Sequence, residues 1–111
     1  MKYEVVLTDD ARNDLREIIT FIRERDGDIR AEGVLAKFES TIEQLGRFPS
    51  GGTIPRELNA LGVTEYRQLH FKPYRVMFRV FDEARRVAIY LVVDGRRELG
   101  VLLGRRLLGS R

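Results

Sequence analysis

The sequence predicts an α+β fold: an N-terminal strand, an antiparallel helical hairpin, a three-stranded antiparallel meander and a short C-terminal helix. Two observations carry this. Apolar side chains recur at helical spacing through residues 11–45, and from Glu65 the period drops to two. Each change of pattern is punctuated by turn formers, at Gly27, Pro49 to Gly52, Lys72-Pro73, Asp82 to Arg85 and Asp94-Gly95. With 111 residues, 43% of them hydrophobic and 33% charged, the chain has the apolar content of one compact core. A single domain over residues 1–111 is the expectation.

Tyr3 to Leu7 reads as the first strand. Thr8 then supplies an N-cap hydroxyl, and Asp9 and Asp10 put negative charge on the first turn of a helix over residues 9–25. Ala11, Leu15, Ile18 and Ile22 form its apolar stripe, and Gly27 within Asp26-Gly27-Asp28 stops it. Ala31, Val34, Leu35, Phe38, Ile42 and Leu45 mark a second helix, so the pair forms a hairpin. Gly51, Gly52, Pro55 and Gly62 then delimit a loop of about a dozen residues, with a short turn at 58–61.

The three strands are predicted at residues 66–71, 74–81 and 87–93, joined by short turns. Alternation in the middle strand sends Tyr74, Val76, Phe78 and Val80 toward the hairpin and Arg75, Met77 and Arg79 to an open face. The last strand, Val87-Ala88-Ile89-Tyr90-Leu91-Val92-Val93, is apolar nearly throughout, which fits a central strand covered on both faces for part of its length. Residues 96–108 carry leucines at helical spacing, weakened by Gly100 and Gly104.

Charge is unevenly distributed. Residues 1–55 hold 8 basic and 11 acidic side chains, while residues 56–111 hold 12 and 6. The second half is therefore an arginine-rich surface suited to an anionic or acidic partner. The absence of cysteine rules out disulfides and thiolate metal sites and fits a reducing cytoplasm. No stretch has the length and apolarity of a membrane span or signal segment. There is no Gly-Lys-Ser/Thr phosphate loop and no His/Asp/Glu cluster at metal spacing, so neither a nucleotide cofactor nor a metal is expected.

The order of elements, together with Leu7-Thr8 followed by Ala11, Asp14 and Leu15, Tyr66-Arg67, Tyr74-Arg75-Val76, Arg96-Arg97-Glu98 and the tail from Leu102 to Leu108, resembles the RelE/ParE superfamily of bacterial toxins, and ParE more than RelE. The resemblance spans nearly the whole chain. It implies a cytoplasmic type II toxin held in a hetero-oligomer with a cognate antitoxin that wraps and neutralises it. ParE-like members act on DNA gyrase; RelE-like members cleave mRNA in the ribosomal A site; a degenerate member would bind only its antitoxin.

Fold alone does not separate these activities. RNA cleavage needs a base for the 2′-hydroxyl, cations at the phosphate and an acid for the leaving oxygen. By resemblance, Arg67, Arg75 and Arg97 occupy cationic positions of the nucleases, whereas Leu69, Leu103 and Asp94 stand where a lysine, a late tyrosine and a histidine are expected. His70, the single histidine, is a candidate acid against the plainer reading of a solvated strand residue. Glu98 is expected to pair with Arg97 or Arg75. Tyr66, Arg79, Arg96, Arg105 and Arg106 are the candidate partner-binding residues, although arginines in a last helical turn also answer the helix dipole.

Overall fold

The computed structural model describes residues 2–96 and 99–107. The order is β1 (Glu4–Leu7), α1 (Asp9–Asp26), α2 (Asp28–Arg47), α3 (Arg56–Asn59), β2 (Tyr66–Phe71), β3 (Tyr74–Phe81), β4 (Arg86–Asp94) and α4 (Gly100–Leu107). Thr8 caps α1 as expected, its hydroxyl accepting from the Ala11 amide at 3.1 Å. Gly27, at φ 96°, turns the chain directly from α1 into α2. That left-handed conformation suits glycine alone among common residues, which is why two long helices need only one residue between them.

The sheet order is β1-β4-β3-β2. Strands β2, β3 and β4 form the expected antiparallel meander, and β1 lies parallel to β4 at the other edge. On one face, Ala11, Phe38 and Leu45 of the hairpin pack on Val76, Phe78, Val87, Ile89 and Val92. The other face, expected to be open at Met77 and the arginines, is covered instead. Leu58 of α3 and Leu99, Leu103 and Leu107 at α4 pack on Tyr66, Met77, Leu91 and Val93, leaving Met77 0% exposed. The cover demanded by the apolar β4 is therefore α4, with the loop turn at Leu58 extending it.

The register shifts between Met77 and Phe78: Met77 pairs with Leu91 and Phe78 with Ile89, which makes Tyr90 the extra residue of a β-bulge. Pairing with β1 also ends at Ile89, so β4 continues beyond it as an edge. The polar groups exposed there are met by side chains. The Asp14 carboxylate of α1 accepts from the Val92 amide at 3.1 Å, and Arg106 of α4 donates to the Tyr90 carbonyl at 3.1 Å. The two side chains also pair bidentately, at 2.8 and 3.2 Å. Helices from opposite faces of the sheet thus meet around its edge.

Removing the carboxylate in Asp14→Ala strands the Val92 amide and leaves the partly buried Arg106 with only the Tyr90 carbonyl and a longer contact to Asp10 at 3.6 Å, and urea unfolding should show a loss of roughly 2 to 3 kcal/mol. A double-mutant cycle with Arg106→Met should give a coupling above about 1 kcal/mol. By contrast, a Cβ at Gly104 meets nothing within 4 Å, so Gly104→Ala should stabilise the protein by about 0.5 to 1 kcal/mol in the same titration.

Candidate functional site

Alternation places Arg75 on the face opposite the hairpin, as expected, but α3 closes over it. Its side chain is 6% exposed. Nη1 and Nη2 donate to the two Glu57 carboxylate oxygens, each at 2.9 Å, and Nε donates to Gln68 Oε1 at 2.8 Å. Gln68 is a neighbour on the adjacent strand, and Glu57 comes from α3, where it follows the Pro55 that opens the helix. A Cβ at Gly95 would lie 2.9 Å from Arg75 Cγ, so the turn after β4 also presses on this side chain. The hydrogen bonds from Arg75 pull the Glu57 carboxyl down to about 2, against the opposing effect of its partial burial.

The other candidates are spread around this network. His70 stands opposite Arg75 in the register and is exposed. Arg67 pairs with Phe78, whose side chain lies in the hairpin core; cross-strand partners share a face, so Arg67 projects to the opposite side of the sheet from Arg75 and Arg79. Arg97 and its neighbour Glu98 lie outside the described residues. The acidic partner of Arg75 is Glu57.

Tyr66, expected on the open surface, is 7% exposed. Its hydroxyl donates to the Leu107 carbonyl at 2.8 Å and its ring meets Tyr90 edge-on, so it anchors the end of α4; burial raises its pKa. Arg79 lies beside it, with its guanidinium 4.8 Å from the Phe81 ring centroid. Arg96 is exposed and pairs with Asp94. Arg105 points outward from α4, whereas Arg106 turns inward to Asp14, which raises its pKa. The residues on the accessible side are therefore Arg79, Arg96, Arg105 and His70. Among the described residues, no group of three or more His, Cys, Asp or Glu side chains could hold a metal ion.

Two residues of the arrangement carried different degrees of warning in the sequence. Asp14 falls three residues after Ala11 and four before Ile18, on the buried stripe of α1, where a carboxylate needs a partner. Glu57 sits in a glycine-punctuated loop, and nothing in its spacing signals a strand partner 18 residues away.

Because the folded pKa of Glu57 lies below its ordinary value of 4.5, its pairing stabilises the fold above about pH 4.5 and is lost as pH falls toward 2. The contribution is on the order of 3 kcal/mol at neutral pH. Glu57→Gln should lower stability by about that amount at pH 7, and its urea midpoint should fall less steeply than the wild type's between pH 4.5 and pH 2.

The family model that matches this chain is that of the ParE toxin of the type II toxin-antitoxin system parDE, over residues 5–99. A search of curated proteins by sequence returns no match. Among solved structures, the chain resembles the chromosomal ParDE system of P. aeruginosa at TM-score 0.68 and 20% identity, covering 84% of this chain and 96% of that one. It also resembles the toxin-antitoxin complex RelBE2 of Mycobacterium tuberculosis at TM-score 0.59 and 24% identity, covering 85% and 92%. A third likeness, at TM-score 0.59 and 16% identity over 86% of each chain, is to a double-arginine mutant of E. coli toxin RelE in the free state. At these identities the structures speak for the fold, while the family model covers the helical hairpin, β2, β3, β4 and all but the first residue of β1. The chain belongs to the ParE family of type II toxins.

Proposed function

We propose that this toxin works in the cytoplasm by binding rather than by breaking a bond: it engages DNA gyrase or its DNA complex and is held inactive by a cognate antitoxin. The observation that carries this reading is the state of Arg75. A phosphate-stabilising cation must present N–H donors to solvent or substrate. Arg75 instead directs its donors at Glu57 and Gln68, within a layer closed by α3. Arg67, the second cation a nuclease would use, is directed to the other side of the sheet.

What remains accessible suits a protein or protein–DNA contact. Arg79, Arg96 and Arg105 present cationic groups around a rigid helix and sheet end, and Val101 is an exposed apolar residue on the same helix as Arg105. Charges of this kind steer association and set its salt dependence. The alternative, a ribosome-dependent mRNA endonuclease, requires Arg67, Arg75 and Arg97 to converge on one phosphate. A partner of the kind bound in the M. tuberculosis toxin-antitoxin complex is proposed for this chain as well.

Gyrase supercoiling of relaxed plasmid measures the first activity directly. Purified toxin should inhibit it, and Arg105→Glu should weaken inhibition by about tenfold. Undiminished supercoiling together with site-specific mRNA cleavage in a translating extract would reverse the assignment. Neither activity, with antitoxin binding retained, would leave a toxin that only binds its antitoxin.

A further inference from the structure

At the margin of the sheet farthest from β1, a cavity of about 300 Å³ opens between the C-terminal end of α2 and the outer edge of β2. That is the lower end of the size range of small-molecule pockets, enough for one planar ring system. Leu45 and Leu69 give it apolar walls. Phe48, the residue that ends α2, stands beside them 62% exposed and pairs with no other ring among the described residues. Gln44 also lines the cavity, and its side-chain amide makes no hydrogen bond among the described residues. No carboxylate, lysine or arginine is part of the lining, which therefore suits an uncharged group.

The directional groups come from the β2 backbone. The N–H and C=O of Gln68 both bond to Thr53, so they point away from β3. In an antiparallel ladder this orientation recurs at every second residue, so the N–H and C=O of His70 also point outward, at the rim of the cavity. Continued by two residues, the Thr53 bridge would set Gly51 against His70, but the Gly51 N–H donates to the Phe48 carbonyl instead. One donor and one acceptor of the strand edge are thus left side by side against an apolar cavity.

An added strand would also need the Gln68 pair, which Thr53 holds. A flat ring carrying one acceptor beside one donor needs only His70. Adenine has a ring-nitrogen acceptor on each side of its amino group, and a glutamine amide is a side chain that matches such an edge. We infer that the cavity binds an adenine base, with one edge on the His70 backbone, the other on the Gln44 amide, and its ring against Phe48 and Leu69. The base belongs either to a free adenine nucleotide or to an unpaired adenine of a nucleic-acid strand. The assignment does not depend on gyrase being the toxin's target.

Amide-resolved NMR of the isotope-labelled full chain, titrated with adenosine monophosphate, tests it. The His70 backbone amide and the Gln44 side-chain amide should shift together and saturate. Purine riboside monophosphate, which lacks the amino group, should bind about tenfold more weakly. Gln44→Ala and Phe48→Ala, both at exposed positions, should each weaken binding by about tenfold, and their amide spectra report whether the fold is kept. A short single strand of deoxyadenosines identifies the source: tighter binding than the mononucleotide's assigns the site to nucleic acid, and equal or weaker binding assigns it to the free nucleotide. Shifts that leave out His70, equal affinity for purine riboside monophosphate, or no saturation with either adenine probe overturns the assignment.

Discussion

Asp14 occupies a position on the buried stripe of α1 where an apolar side chain would ordinarily pack, and three elements converge on it. It holds the Val92 amide of β4 and the Arg106 guanidinium of α4, and Arg106 in turn reaches the Tyr90 carbonyl. The bulge at Tyr90 is what makes this necessary. It turns Tyr90 and Leu91 toward the same face, extending the second apolar layer, and disturbs the ladder next to the point where β1 stops. A two-sided sheet, a bulge and two helices on opposite faces depend on one ion pair with four hydrogen bonds. Such a pair is weak as a source of net stability but strong in specifying arrangement, because each member is unacceptable without the other.

The same logic sets what the arginines can do. Seventeen arginines outnumber three lysines, yet those that converge on the sheet interior are committed to carboxylates. Arg75 fastens α3 to the sheet and Arg106 fastens α4. In each case the planar guanidinium meets a carboxylate with two parallel donors, a geometry an ammonium cannot reproduce. The cations left for partners lie at the margins, on α4 and beside the β4 turn. A surface that reads as uniformly basic in sequence is divided by folding into structural and accessible arginines.

Much of the fold was legible because period and punctuation are local. The Thr8 cap, the Gly27 turn, the meander and the apolar β4 that demanded cover all follow from short-range spacing. Alternation also assigned Arg75 correctly to the face opposite the hairpin. What it could not report was whether that face stays open. Tyr66 is buried because Leu107, 41 residues later, returns over it, and Arg75 because Glu57 arrives from a loop with no helical or strand period. Arg67 has Phe78 as its register partner and so belongs to the hairpin side.

At the opposite margin of the sheet, the backbone of Thr53 exchanges two hydrogen bonds with that of Gln68 in β2, at 3.1 and 2.7 Å. The approach is close enough that Gly52, at φ 87°, has no room for a side chain: a Cβ there would lie 2.5 Å from the Gln68 carbonyl. The bridge is a single residue long, but it covers the middle of an outer strand that would otherwise offer a template for another chain. Asp14 and Arg106 do the same for the stretch of β4 that runs on beyond β1. Protection against edge-to-edge aggregation is thereby built into the folded chain itself and needs no second protein to cover it.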